Sequence, residues 1–287
     1  MSQPKSVKRL FLLAGYDRDG HVDASLVWYV RALSKYGDVV IHIDSDCMDG
    51  SVDALRKYAI HACAARHGEY DFGSYKRAYI HARDAHILQN YDFVYMLNDS
   101  VYGPLMDIGP TLRKMESARW DAFGLVYNPH REHAHIQSWF IGMRPDVFMA
   151  PWFDRFMTSV TKLPSKGMIT RQYEQGFTRL ARENGARVGH LYTVKNRGVY
   201  NRVKYLYRRG MPFMKKVAFP RHNGAYGAQI RHILNRVDPV LRDAILENAR
   251  RVYGTEYVNQ MLRGGQIKML WRKLTYAITK KIRKGRQ

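Results

Sequence analysis

The segment Tyr91-Asp92-Phe93-Val94-Tyr95-Met96-Leu97-Asn98-Asp99-Ser100-Val101-Tyr102-Gly103-Pro104-Leu105 joins an apolar run to a polar triplet and then to a Gly-Pro turn. Phe93 to Leu97 reads as a short buried strand bounded by turn signals. Asn98-Asp99-Ser100 then falls at the carboxyl end of that strand, where open α/β sheets bind their ligands. A carboxylate there can hold a divalent cation, and the cation can hold a diphosphate. The same aspartate would serve equally as a cap before Gly103-Pro104. This segment alone leaves both readings open.

The preceding residues repeat the pattern. Lys8 to Ala14 reads as a strand, and the polar turn Gly15 to Asp23 follows it. Ala24 to Tyr36 has helical spacing, with Leu26, Val30 and Leu33 on one face. Asp38 to Ile43 is a second strand, ending in Asp44-Ser45-Asp46. A short helix over Ser51 to Tyr58, a strand over Ala59 to Ala64 and a helix over Ser74 to His86 lead to the strand at Phe93. Strand and helix thus alternate four times, which predicts an α/β fold with parallel strands and right-handed crossovers. Polar groups follow every strand: Tyr16 and Asp17, Asp44 and Asp46, Glu69 and Asp71, Asn98 and Asp99. They should converge on one edge of the sheet. Neither a Gly-x-Gly-x-x-Gly fingerprint nor a P-loop is present, so neither signature supports a dinucleotide site or a P-loop nucleotide site.

The second half is less regular. Trp120 to Tyr127 and Gln137 to Met143 read as strands around the polar loop Asn128 to His135, and Phe148 to Val160 as a helix. His130, His133 and His135 resemble metal ligands, but the segment is short and has no cysteine partners, so no structural metal is expected there. Gln172 to Arg182 reads as a helix closed by Asn184-Gly185. Glu174 then lies in its first turn, where the helix dipole favours a carboxylate.

Charge narrows the partners. Of 287 residues, 47 are Lys or Arg and 25 are Asp or Glu, a formal charge of +22, which calls for an anionic partner: nucleic acid, a phospholipid surface or a phosphorylated substrate. Asn184 to Val237 holds no acid and twelve Lys or Arg; Gln266 to Gln287 holds no acid and eight. In the latter, Leu270, Trp271, Leu274, Ile278 and Ile282 recur at helical spacing among the cations. A basic amphipathic helix of this kind suits an anionic membrane surface. A nucleic-acid tail and a helix packed on its own domain are the alternatives, although no RNA-recognition, zinc-finger or helix-turn-helix motif is present. No apolar stretch reaches the ~18 residues of a spanning helix, and the run within Met1 to Leu13 is too short for a signal peptide, so contact with a membrane should be peripheral. Cys47 and Cys63 suggest no disulfide framework and a reducing compartment.

Taken together, several strings resemble the rhamnan synthesis F proteins, glycosyltransferases of bacterial cell-surface polysaccharide assembly. They are Tyr16-Asp17-Arg18-Asp19-Gly20, Tyr70-Asp71-Phe72-Gly73-Ser74-Tyr75-Lys76, Leu97-Asn98-Asp99-Ser100-Val101-Tyr102-Gly103-Pro104-Leu105, His135-Ile136-Gln137-Ser138-Trp139-Phe140, Tyr173-Glu174 and Gly210-Met211-Pro212-Phe213-Met214-Lys215-Lys216. The Asn-Asp-Ser-Val-Tyr-Gly-Pro string is the most specific. The resemblance covers roughly residues 8–220 and implies a GT-A-like, Rossmann-like nucleotide-sugar domain with a mixed sheet over residues 1–220. Residues 225–287 lie outside it, and 221–287 read from their charge and spacing as a basic helical extension.

It also implies roles. Tyr16, Asp17, Asp44, Asp71, Asn98 and Asp99 would bind the nucleotide sugar: Asp17 and Asp44 at the base and ribose, Asp71 and Asp99 at the diphosphate and sugar. Asp99 would hold Mg²⁺ or Mn²⁺, with Asn98-Asp99-Ser100 in place of the usual Asp-x-Asp. His135, Gln137, Ser138 and Trp139 would border the sugar or acceptor. The Glu174 segment is similar to the acidic motif of family-2 glycosyltransferases, in which an acid opens a helix that runs to an Arg and a Gly, here Arg179 and Gly185. Glu174 would then be the catalytic base.

The expected reaction is inverting transfer of rhamnose from a dTDP-sugar to a lipid-linked cell-surface polysaccharide or lipopolysaccharide. It would run in the cytoplasm, peripherally on the inner face of the bacterial plasma membrane. A different donor sugar is one alternative. A non-catalytic anion- or nucleic-acid-binding protein is the other. Against nucleic acid stands the separation of charge, with the strand-end acids in the first half and the cations gathered in the last 100 residues.

Overall fold

The computed structural model describes residues 7–47, 50–130, 133–195, 197–221 and 225–263. The expected helix over residues 266–287 lies outside the described residues. The chain forms two compact units: residues up to 99 together with 108–196, and residues 100–107 together with 197 onward.

The first unit is built on one sheet. Its elements are β1 (Arg9–Gly15), α1 (Ala24–Ser34), β2 (Asp38–Ile43), β3 (His61–Ala64), α2 (Tyr70–Asp84), β4 (Phe93–Asn98), α3 (Gly109–Glu116), β5 (Ala122–Asn128), β6 (His135–Ile136), β7 (Phe140–Met143), α4 (Pro151–Thr158), α5 (Gln175–Glu183) and β8 (Val188–Thr193). Spatially the strands run β3-β2-β1-β4-β7-β5-β6, and β8 joins the other side of β5. β3, β2, β1 and β4 are mutually parallel, as the alternation predicts. β7 runs antiparallel to β4, and β5 turns back antiparallel to β7. This mixed sheet, with its parallel half carrying the crossovers, is the architecture expected of a GT-A-like domain.

Every residue of β1 and β4 is buried, which is why both read as near-continuous apolar runs. Alternate residues serve opposite faces. Leu10, Leu12 and Ala14 meet α2, where Phe72, Tyr75 and Tyr79 join Phe153, Phe156, Tyr173 and Phe177 in one core cluster. Phe11 lies on the other face beside Tyr95, at 5.2 Å between ring centroids. Asp23 caps α1 by accepting from the Ser25 and Leu26 amides at 2.9 and 3.2 Å.

Several boundaries differ from the sequence expectation. α2 begins at Tyr70 rather than Ser74, because Asp44 Oδ1 accepts from the His67 and Gly68 amides at 2.7 and 2.9 Å and so fixes the turn into the helix. The expected helix Phe148 to Val160 divides into Pro145–Phe148 and α4, since Pro151 takes the first position of a new helix. The expected strand Gln137 to Met143 pairs only from Phe140, as residues 137–139 turn out of the ladder.

Three histidines stack beside the sheet. His42 of β2 and His61 of β3 have centroids 5.1 Å apart, and His61 and His81 of α2 lie 3.8 Å apart. Among the described residues, no hydrogen-bond partner reaches the buried His42 Nε2. Burial, then the His61 and His81 charges, hold the His42 imidazole down to about 4. Burial and His81 also lower His61. The folded state therefore refuses a proton that the unfolded chain takes up below pH ~6.5, so stability is complete above that pH and is lost as pH falls toward 4. For His42 alone the loss reaches about 3 kcal/mol. Urea unfolding between pH 7 and 4.5 should show this slope, and His42→Gln should flatten it. A slope unchanged by the substitution would put the acid sensitivity elsewhere.

In the second unit, Val101–Tyr102 pairs antiparallel with Met214–Lys215. Gly103 takes φ +144°, and a Cβ there would stand 2.6 Å from the Pro212 carbonyl, so glycine is required. Tyr102 donates to Asn248 Oδ1 at 2.6 Å and holds the helix Pro239–Tyr253 against this ribbon. The helices Val203–Arg208, Ala225–Leu234 and Thr255–Arg263 complete the described part.

Candidate active site

The carboxyl ends of β1, β2, β3 and β4 lie on one edge of the first unit, and their loops interlock. After β1, Asp17 Oδ1 accepts from the Asp19 and His21 amides at 2.9 and 3.1 Å. The fully buried Ser45 hydroxyl accepts from Asp17 N at 2.9 Å and donates to Asp17 O at 2.6 Å. That hydroxyl ties the ends of β1 and β2 together. Asp44, 6% exposed, spends Oδ1 on the turn into α2.

His67 completes the turn. The Glu69 amide donates to its Nδ1 at 3.1 Å, and its Nε2 lies 3.0 Å from the Ser74 hydroxyl. This assigns the proton to Nε2. Burial outweighs the nearby Asp44 and lowers the imidazole below its ordinary value, so it is neutral at pH 7. Gly73 must be glycine because a Cβ would meet Glu69 Cβ at 2.3 Å and His67 Cε1 at 2.6 Å. Tyr70 is half exposed and sits at φ +58°, a left-handed conformation uncommon for an aromatic residue. The strain falls immediately before Asp71, and strain of this kind gathers at functional sites.

β4 delivers the next pair. Asn98, 2% exposed, donates from Nδ2 to Asp71 Oδ2 at 2.7 Å. Asp99, 8% exposed, anchors its amide on the Ala14 carbonyl at 3.0 Å. The carboxylate of Asp99 adds to burial in raising the Tyr29 phenol well above its usual range.

Tyr75 joins this pair to Glu174. Its hydroxyl donates to the Ser138 carbonyl at 3.0 Å and also meets Asn98. Burial first, then the charges of Asp71 and Glu174, hold it well above the ordinary phenol value, so it remains a donor. Ser138 in turn donates to Glu174 Oε1 twice, from its amide at 2.9 Å and its hydroxyl at 3.1 Å. His135 Nδ1 hydrogen-bonds the His133 carbonyl, and its Nε2 stands 3.9 Å from Glu174 Oε2. One carboxylate oxygen is thus fixed by two donors, while the other faces an imidazole.

Glu174 does not open a helix, as the sequence suggests. Helical backbone starts at Lys166, where Ser165 is the cap, and widens into a π-turn over Thr170–Glu174 before α5. A favourable dipole at a helix start therefore does not explain this acid. A π-turn inside a helix is a feature frequent at functional sites.

Gln137 and Trp139 bind each other, the indole Nε1 donating to Gln137 Oε1 at 2.7 Å. Trp139 is buried and packs edge-on against Phe140 at 6.3 Å, while Tyr16 and Tyr70 present exposed aromatic surface on the strand-end loops. Asp71, Asn98, Ser138 and Glu174 are thus brought through Tyr75 into one hydrogen-bonded series with His135 beside Glu174, and Asp17 and Asp44 into a second around Ser45 and His67. Tyr75, Ser45 and His67 are given no role from the sequence. The signals for Tyr75 are its place in the Tyr70–Lys76 string and its position one helical turn after Asp71. Among the described residues, no three His, Cys, Asp or Glu side chains gather as a metal cage.

The chain is a glycosyltransferase of the nucleotide-sugar type, and with that class come a nucleotide-sugar donor and a glycan acceptor. It belongs to the rhamnan synthesis protein F family, whose model matches residues 39–282. No curated protein matches the sequence. Solved structures are similar at low identity. A protein described as a nucleotide-diphospho-sugar transferase of Desulfovibrio desulfuricans G20 is 17% identical, with a TM-score of 0.38 over 82% of this chain and 97% of that one. S. aureus TarS is 12% identical, with a TM-score of 0.42 over 89% of this chain and 55% of that one. A glycosyltransferase involved in the glycosylation of the major capsid of PBCV-1 is 10% identical, with a TM-score of 0.37 over 79% of this chain and 98% of that one.

Proposed function

We propose that the protein transfers rhamnose from dTDP-rhamnose to a lipid-linked glycan with inversion at the anomeric carbon, Glu174 acting as base. The observation that carries this reading is the fixation of Glu174 by Ser138, in series through Tyr75 with Asp71 and Asn98. The acceptor oxygen attacks the anomeric carbon as the bond to the diphosphate oxygen breaks. The hydroxyl proton passes to Glu174 Oε2, and the nucleoside diphosphate leaves with the bonding electron pair. Ser138 keeps Oε1 engaged, so the carboxylate holds its aim with little reorganisation. Asp71, anchored by Asn98, receives hydroxyls of the donor sugar. Asp17 and Asp44 shape the loops under the base and ribose, and Gln137 and His135 border the acceptor.

Asp99 suits a divalent cation that shares its other ligands with the substrate. Mg²⁺ is commonly held by one or two carboxylates plus phosphate oxygens and water, rather than by an all-protein cage. A cation bound there would offset the charge growing on the leaving diphosphate. Asp99→Ala should weaken donor binding at least tenfold in Mn²⁺ and much less in EDTA, measured by titration calorimetry. Equal affinity in both media would remove Asp99 from the diphosphate site.

The excess of cations after residue 184 supports a site of action at an anionic membrane surface, peripherally on its cytoplasmic side. Among the described residues no helix is long and apolar enough to cross a membrane. The test of the donor is a saturation-transfer NMR screen of dTDP-rhamnose, UDP-glucose, UDP-galactose and GDP-mannose. Selective binding of dTDP-rhamnose supports the reading. Selective binding of another donor keeps the reaction class and changes the sugar.

A further inference from the structure

The formal charge is very unevenly divided. Residues 100–107 and 197–287 hold 22 of the 47 Lys and Arg but 5 of the 25 acids, so they carry +17 of the +22. Within the described part of that unit the cations form a built surface. Arg202, Arg208 and Arg209 are exposed around the helix Val203–Arg208. Tyr205, 45% exposed, lies between two of them: the Arg202 guanidinium is 4.3 Å from its ring centroid and that of Arg209 is 5.7 Å away.

The neighbouring helix adds to the patch. Gln229 of Ala225–Leu234 accepts from Lys204 N at 3.2 Å and donates to the Asn201 carbonyl at 3.2 Å, which fixes the two helices side by side. Burial first, then the charges of Arg236, Lys204 and Arg208, lower the His232 imidazole from its ordinary value. The nearest acid in sequence, Asp238, is spent capping the next helix through Val240 N at 2.8 Å.

We infer that Arg202, Lys204, Tyr205, Arg208, Arg209 and Arg236 form a docking face for the anionic headgroups of a lipid bilayer. Guanidinium groups pair with phosphate oxygens through two donors at once, which suits headgroup phosphates. A tyrosine held between them presents an apolar ring with a polar tip, the chemistry of the bilayer interface. No RNA-recognition, zinc-finger or helix-turn-helix motif accompanies these cations. The inference deepens the reading of a membrane-borne acceptor and rests on it, and it moves the attachment from residues 266–287 to residues 202–236.

Two full-length proteins with the same change in charge separate these regions. Arg202, Arg208 and Arg209 changed to Glu remove six units of charge, as do Lys268, Arg272, Lys273, Lys280, Lys281 and Arg283 changed to Gln. Co-sedimentation with phosphatidylglycerol–phosphatidylcholine vesicles should show at least tenfold weaker binding for the first and less than threefold for the second. Tyr205→Ser should weaken binding without changing its salt dependence.

An equal or larger loss from the six distal substitutions would overturn the inference. So would a wild-type protein that binds neutral phosphatidylcholine vesicles as well, or one that prefers a structured RNA to the anionic vesicles. If the triple variant fails to fold, Arg202→Gln with Arg209→Gln takes its place, and an undiminished affinity would overturn the inference equally. Donor affinity measured on the same proteins keeps the two readings apart, since docking can fail while the nucleotide sugar still binds.

Discussion

Glu174→Gln should fold, bind donor with unchanged affinity, and transfer sugar ~10²- to 10⁴-fold more slowly, the range expected when general-base assistance is lost. Glutamine preserves the shape of the site. Its carbonyl oxygen can still accept from the Ser138 amide and hydroxyl, which now hold Glu174 Oε1 at 2.9 and 3.1 Å. Its amide replaces Oε2 opposite His135 Nε2, a nitrogen free to accept when the Nδ1 proton is spent on the His133 carbonyl. Only the capacity to take a proton is removed. The effect should therefore fall on kcat, with donor Kd and the melting temperature nearly unchanged. Turnover within tenfold of wild type would dismiss Glu174 as the base. A loss accompanied by weaker donor binding would instead give it a structural role in the donor pocket.

That carboxylate also marks the limit of what the sequence conveys. Local signals single out Glu174 as an acid near the start of a helical pattern, and they misplace the start. Lys166 to Ile169 contains Gly167 and has no apolar periodicity, so nothing in the string indicates that the helix has already begun or that it widens before Gln175. The first half is far more legible. β1, β2 and β4 are buried on both faces, so each reads as an apolar run closed by polar residues.

The acids at those strand ends are legible for the same reason, but their divisions of labour are not. That Asp44 is spent on the His67 and Gly68 amides, while Asp71 is reached by Asn98, depends on pairings across 23 to 27 residues of sequence. Tyr75 is equally hidden. Helical spacing marks it as a core aromatic, and only its hydroxyl, among Asn98, Ser138 and the charges of Asp71 and Glu174, shows that it links the two halves of the site.

The largest effect on stability should come from Glu116→Ala, about 3–5 kcal/mol, the usual cost of stranding one partner of a buried ion pair. Glu116 ends α3, a position where the helix dipole disfavours a carboxylate. Tertiary structure overrides that preference. Arg9 reaches both carboxylate oxygens, Nε to Oε1 at 2.6 Å and Nη2 to Oε2 at 2.7 Å, and Tyr95 donates to Oε1 at 2.6 Å. The side chains of Arg9 and Glu116 are only 10% and 6% exposed. Burial alone would lower the Arg9 guanidinium, but Glu116 and Tyr95 more than offset it and raise it further above neutrality. Removing Glu116 therefore leaves a cation buried in the sheet with no counter-charge. Its Nη1 contacts, to the Tyr36 and Val7 carbonyls at 3.2 and 3.3 Å, are neutral bonds that do not replace it. Urea denaturation should show the midpoint falling with little change in slope. The double variant Arg9→Met, Glu116→Leu separates the pair from its desolvation. If the cost is the stranded charge, the double variant should be more stable than Glu116→Ala alone, because both charges leave the core together. If the double variant is the less stable of the two, the ion pair itself, with its fixed geometry between β1 and α3, stabilises the fold by more than the apolar packing that replaces it.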